Sequence, residues 1–357
     1  MNVARRLIPS AAVAGALALG LAALTACSTT DSDGRDGDGK LRVMAAFYPM
    51  EFLAERIGGD HIRVTTLAKP GAEPHDLDIS PKQTAQLSES GLVIYLKGLQ
   101  PAVDEAIDQN GPEHVADAAS YTPLEDHGAE VDGHDHGAEG HGEGSEDHGD
   151  EGHGDHGDEG HGDHAEDHDE PQGDHEGHDH GEDTGADPHV WLDPVKYAEV
   201  AKGVGKALEK ADPKHAADYR ANTAKLVEEL HALDREFRTG LKNRTTDTFI
   251  TAHAAFGYLA ERYGLEQEAI SGLDPEAEPS PARMKKLHQV AEEDKVNTVF
   301  FETLVSDKTA KTLAGDLGLK TDVLDPLESI AEDSRGDDYF AVQRANLRAL
   351  QGALGAQ

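Results

Sequence analysis

Three features of the 357-residue sequence predict an α/β fold of two lobes, each carrying a parallel sheet, joined by a long helix with a cleft between them. Short β-type apolar runs alternate with amphipathic helical runs from Leu41 to about Ile107, and again from Thr248 to the C-terminal region. Between the two series, residues 193–242 are strongly helical with no strand signal. Residues 125–187 hold hardly any Leu, Ile, Val or aromatic side chain, so they cannot offset their ordering entropy by burial and are expected to form a disordered insertion.

The elements follow in order. "LRVMAAFYP" is predicted as a buried strand and "MEFLAERIGG" as a helix ended by Gly58 or Gly59. "IRVTTLA" is the second strand, and "SPKQTAQLSES" a helix with Ser80 as cap and Pro81 in its first position. "GLVIYLK" and "PAVDEAI" complete the first lobe, 41–192, as strand and short helix. Asp193 can cap a helix that begins at Pro194, and the 193–242 segment breaks near Asp212-Pro213. Its second part is long enough to cross a domain boundary at 1.5 Å per residue (roughly). In the second lobe, 243–357, "TFITAH", "LEQEAI", "VNTVFFE" and "LKTDVLD" are strands. "AAFGYLAERYG", "SPARMKKLHQVAEEDK" and "SDKTAKTLAGDLG" are the helices between them, and "DDYFAVQRANLRALQGAL" closes the chain.

Charge narrows the function. The formal net charge is -38, with no Lys or Arg between Lys97 and Lys196, and 25 of the 70 acidic residues fall in 125–187. Phosphate backbones require basic patches, so a nucleic-acid partner is excluded, and an anionic membrane surface would repel the chain. Cations are the natural partners. No HExxH or GxSxG motif is present, and no general base stands beside the candidate histidines, so no enzyme is predicted.

The N-terminus reads as an export signal, 1–27: Arg5 and Arg6, then a small-residue apolar run ending at the only cysteine. "LTAC" resembles a bacterial lipobox, which makes Cys27 the expected lipidation site and anchors the chain outside the cytoplasmic membrane. Residues 28–40 suit a flexible tether.

Thirteen of the 21 histidines lie in the acidic insertion: His127, His134, His136, His141, His148, His153, His156, His161, His164, His168, His175, His178 and His180. Their close spacing suits weak metal binding, because a flexible tract must lose chain entropy each time it gathers ligands. His61, His114, His215, His231 and His288 fall in loops or on polar helix faces and are expected at the surface. His75, His189 and His253 differ. His75 lies between a strand and the next helix, His189 precedes a capped helix, and His253 ends a strand, where ligands collect in open α/β sheets. Three imidazoles and a carboxylate make a four-ligand metal site, and "VLDPLESI" offers Asp325 and Glu328.

The motifs "GAEPHDLDISPKQ", "DPHVWLDP", "TAHAAFGYLAERYGL", "GLDPEAEPSPARM", "VFFETLVSDKTAKTLA" and "LDPLES" together resemble the metal-binding lipoproteins of bacterial zinc and manganese ABC importers, the cluster A-I solute-binding proteins. The resemblance spans nearly the whole chain from Leu41. It implies metal held between the lobes by His75, His189, His253 and Glu328, a permease partner in the cytoplasmic membrane, and a monomeric carrier. Manganese-binding relatives carry a carboxylate at the position of His253. A third imidazole favours Zn²⁺ over Mn²⁺, which prefers oxygen ligands. The alternatives are a manganese or other divalent-metal carrier, and a surface metal buffer or adhesin acting through the tract. Because all four candidate ligands lie outside 125–187, deletion of that segment is expected to leave a tight site. Zinc is expected to dissociate below about pH 6, from the tract first, as protons compete for imidazole.

Overall fold

The computed structural model describes residues 34–127 and 186–356. Cys27 and every tract histidine except His127 lie outside the described residues. The fold is the predicted two-lobed α/β architecture. In the first lobe, strands β1 (Leu41–Ala45), β2 (Ile62–Thr66), β3 (Leu92–Tyr95) and β4 (Val115–Asp117) form a parallel sheet in the order β2-β1-β3-β4. Strands β5 (Thr248–Thr251), β6 (Glu266–Ala269), β7 (Thr298–Phe301) and β8 (Lys320–Val323) repeat that order as β6-β5-β7-β8.

Helices α1 (Tyr48–Gly58), α2 (Pro81–Ser88) and α3 (Pro101–Asn110) serve the first lobe. Helices α4 (Pro194–Ala211) and α5 (Ala216–Gly240) follow the insertion. Helices α6 (Gly257–Tyr263), α7 (Pro281–Glu293), α8 (Lys308–Leu317) and α9 (Tyr339–Leu354) complete the second lobe. The expected caps form: Ser80 accepts from Gln83 N in a reciprocal capping box, Asp193 from Val195 N and Lys196 N, and Ser280 from Arg283 N.

Several boundaries differ from the sequence reading. The first strand stops at Ala45 because Tyr48 and Pro49 already form the first turn of α1, where proline's missing N–H costs nothing. The residues 34–40 are not free tether: Arg35 bridges to Leu41 and pairs with Asp212 at 2.9 Å, and Arg63 pairs with Asp36. The helical segment 193–242 divides in role. Helix α4 packs on β3 and β4, whereas α5 touches both α1 and α9 and so spans the lobes.

One continuous apolar core runs from the first sheet through α4 and α5 into α9. At the junction of the lobes, Trp191 packs edge-on against Phe47 at 5.1 Å and donates to Pro326 O at 2.7 Å. Tyr339 donates to Trp191 O at 2.7 Å and packs on Tyr197 and Phe52. Bulky, fully buried aromatics hydrogen-bonded across the junction hold the lobes as one body, because close-packed interiors resist shear.

Candidate metal centre

His75 stands in the loop after β2, with its N–H donating to Glu73 Oε1 at 3.0 Å and the preceding Pro74 carbonyl held by Gln100 at 3.1 Å. His189 begins the turn before α4. His253 follows β5 by two residues, its carbonyl accepting from Thr251 Oγ1 and Gln267 Nε2. Glu328 lies beyond β8, in a loop where Leu327 adopts a left-handed φ of 61°. A β-carbon makes that conformation costly, and it is held by Asp325 Oδ1 accepting from Leu327 N at 2.8 Å.

These four side chains converge. Glu328 Oε1 lies 3.1 Å from His189 Nε2, 3.3 Å from His75 Nε2 and 3.4 Å from His253 Nε2; the two buried imidazole nitrogens are 3.4 Å apart. A tetrahedral ion with bonds of about 2.05 Å needs donor atoms about 3.3 Å apart, which these four separations match, and all four ligand atoms lie within 4.8 Å of one another. His189, His253 and Glu328 are fully or almost fully buried, while the side chain of His75 keeps 16% of its exposure and marks the way in.

Two carboxylates that the sequence reading passed over aim the buried rings. Asp187 Oδ1 is 2.7 Å from His189 Nδ1, and Glu302 Oε1 is 2.6 Å from His253 Nδ1. An ionised carboxylate only accepts, so each Nδ1 donates to its carboxylate and each Nε2 faces the cluster, the orienting arrangement usual for metal-bound imidazole. Glu302 had a readable signal. It ends the apolar strand "VFF" beside β5, and the pairing of Ile250 with Val299, extended by three residues, sets it opposite His253. Asp187 was hidden in the acidic run.

Electrostatics follow from this crowding. Desolvation pushes the His189 and His253 pKa values down, but Asp187 and Glu302 respectively, then Glu328, raise both above the ordinary imidazole range. Burial pushes Glu328 up, but the three imidazoles more than reverse this and hold it well below the usual carboxylate range. Burial, and Glu328 beside it, push Glu73 up to about 8. The centre concentrates negative charge that a divalent cation neutralises.

Asp325 is not part of the cluster. Its Oδ1 holds Leu327, its Oδ2 accepts from Ser334 Oγ at 2.9 Å, and its backbone is clamped by Asn346. It shapes the loop that presents Glu328, whose other oxygen is buried without a hydrogen-bond partner among the described residues. Asp325→Ala is therefore expected to lower thermal stability, by about 1–3 kcal/mol for orphaned buried donors. Glu328→Ala should cost more metal affinity than Asp325→Ala; thermal melts and metal titrations of the two variants separate the roles. The five histidines expected at the surface remain partly exposed and away from the centre, with His61 and His215 stacked on each other at 4.0 Å.

The insertion's ends belong to the fold. Glu125 and Asp187 pair in an antiparallel bridge, and Asp187 is buried. The segment whose composition predicts disorder is therefore narrower than 125–187 at both ends, because Tyr258 accepts from Glu125 N and donates to Asp187 O.

The chain is similar to known zinc-binding proteins. The zinc-binding lipoprotein AdcA of Streptococcus pneumoniae is 32% identical over 334 residues, 92% of this chain. The chain spans 58% of the length of that relative. The high-affinity zinc uptake system protein ZnuA of Bacillus subtilis is 33% identical over 92% of this chain and 91% of its own length. The crystal structure of the Zn(II)-bound ZnuA-like domain of Streptococcus pneumoniae AdcA superposes with a TM-score of 0.64 and 29% identity, covering 88% of this chain and 99% of that domain. The family model described as zinc-uptake complex component A, periplasmic, matches residues 43–353. The resemblance read from the six motifs is borne out, and the chain belongs to the zinc-uptake complex component A family.

Proposed function

We propose that this chain captures Zn²⁺ outside the cytoplasm in the cleft formed by His75, His189, His253 and Glu328, and delivers it to the permease of an ABC importer. The observation that carries the reading is the gathering of three imidazole nitrogens at 3.1–3.4 Å around one carboxylate oxygen, separations that suit the donors of a tetrahedral ion. Three nitrogens and one oxygen suit zinc better than manganese, and four protein ligands leave no open position for a catalytic water. The chain acts as a carrier, not an enzyme. Zinc titration with metal analysis tests this: one tight equivalent per chain is expected, with manganese displaced by zinc. A preference for manganese would favour the other metal of this importer class.

The chain is anchored by lipid on Cys27 and works as a monomer in this proposal. Among the described residues, no helix is long and apolar enough to cross a membrane. Cys27→Ala is expected to shift the protein from the detergent to the aqueous phase on partitioning; equal partitioning of both forms would remove the lipid anchor from the account.

Acidity should act on the cleft earlier than imidazole composition alone suggests. A proton on Nε2 must leave before Zn²⁺ binds, so affinity falls as pH falls through the pKa of each ring. Those of His189 and His253 are raised, so the decline begins above the ordinary value of about 6.5. The expectation of release only below about pH 6 thus moves upward for the cleft. Zinc dissociation constants at pH 6, 7 and 8 check it: a steady rise in Kd across the series is expected, and a constant Kd from pH 8 to 6.5 would contradict it.

A further inference from the structure

We propose that Glu125, His127 and Glu261 form a second, weaker site for a divalent transition-metal cation of the zinc class, mounted outside the cleft and joined to it through Asp187. The proposal rests on the zinc reading above and adds to it a site on fixed residues, distinct from the rest of the histidine tract.

The arrangement at His127 repeats the one at His189. His127 Nδ1 lies 3.2 Å from Asp187 Oδ2, while Asp187 Oδ1 holds His189 Nδ1 at 2.7 Å, so one buried carboxylate orients two imidazoles with its two oxygens. His127 Nε2 faces outward between carboxylates, 2.8 Å from Glu261 Oε2 and 3.5 Å from Glu125 Oε2. One oxygen of each glutamate and Nε2 all lie within 4.8 Å of one another. Carboxylates set that close gain from a shared cation, a place taken in the metal-free arrangement by the His127 ring, with Lys196 on the far oxygen of Glu125. One imidazole and two carboxylates suit zinc and leave coordination positions for water, whereas the cleft is closed by four ligands.

The surroundings are shaped to hold this ring. A β-carbon on Gly257, at the start of α6, would fall 2.2 Å from His127 Cβ and 2.8 Å from Asp187 Oδ2, so only glycine admits both side chains. Tyr258 packs edge-on to the His127 ring at 4.4 Å and bonds the backbone on both sides of the insertion. Lys196 Nζ takes Glu125 Oε1 at 2.5 Å, which leaves Oε2 for a cation and makes the site weaker than the cleft through charge repulsion. The Glu261 side chain is 61% exposed, so the site exchanges its ion readily with solvent.

The test uses the full chain with Zn²⁺ alone. Crystals grown with excess zinc should give, at the zinc absorption edge, an anomalous peak among Glu125, His127 and Glu261 besides the cleft peak. In solution, Glu261→Gln should lose one weak equivalent by calorimetry while the tight equivalent stays unchanged. A cleft peak alone, with His127 bonded directly to Glu261, would overturn the second site and leave the cleft standing. A peak in the crystal without loss of an equivalent in Glu261→Gln would also overturn it, as binding at crystal concentration only. No peak at either place would overturn the cleft reading as well.

Discussion

His253→Ala is expected to lower zinc affinity by on the order of 10²–10³-fold, while the weaker equivalents of the histidine tract remain. The magnitude follows from sharing a zinc-site free energy of about 10–16 kcal/mol among four ligands, at about 1.4 kcal/mol per tenfold change. The lobes cannot close over the gap. His253 is fully buried, its position is set by β5 and Glu302, and the two lobes share one apolar core. The substitution also takes the ring N–H from buried Glu302 and leaves it only the backbone N–H of residue 253 at 3.2 Å, so some loss of stability should accompany the loss of binding. Calorimetry against a competing chelator reads both classes of site in one titration. Retention of the tight equivalent in His253→Ala would place it elsewhere.

Two deletions that differ by only five residues should behave differently. Removing 128–185 is expected to abolish the weak equivalents of the twelve histidines it contains and keep the tight one together with the weaker one at His127, because every side chain at the cleft, its orienting carboxylates, Glu125 and His127 survive. Removing 125–187 takes Asp187 as well, and with it the acceptor that fixes the tautomer and direction of His189. Loss of such an orienting partner costs roughly 10–100-fold in metal affinity. The longer deletion also removes the Glu125 partner of Lys196 and the bridge that closes the insertion. It is thus no longer a neutral truncation, contrary to what the positions of the four ligands alone suggest. Equal zinc affinity of the two shortened chains would show that Asp187 does not support the site.

Much of this was legible in the chain itself, for physical reasons. Asp193-Pro194 and Ser280-Pro281 announce their helices because a side-chain acceptor and a residue without an N–H both answer the needs of a first turn. His253 could be picked out because it ends a β run, and parallel sheets present their strand ends to ligands. Strand β4 was not visible: Val115–Asp117 is three residues long, and its pairing with β3 comes from tertiary contact, not from pattern. Asp187 was lost for the opposite reason. Composition averages over a window, and one acid among the 25 of that run looks like the others until Tyr258 and Glu125 are seen to hold it. The choice between Asp325 and Glu328 likewise required the loop, since three residues separate them and only the backbone at Leu327 decides which carboxylate turns inward.

The chain carries its own reporter for the central claim. Its single tryptophan, Trp191, lies two residues after His189 with ring centroids 5.2 Å apart, whereas the tract contains no tryptophan. Exchanging a proton for Zn²⁺ on His189 alters the charge beside the indole, so its fluorescence follows occupancy of the cleft. Stepwise zinc addition to the full chain should change Trp191 fluorescence completely within the first equivalent, while later equivalents release heat without further optical change. A fluorescence change spread over many equivalents, or absent while the first equivalent binds tightly, would contradict the cleft as the tight site.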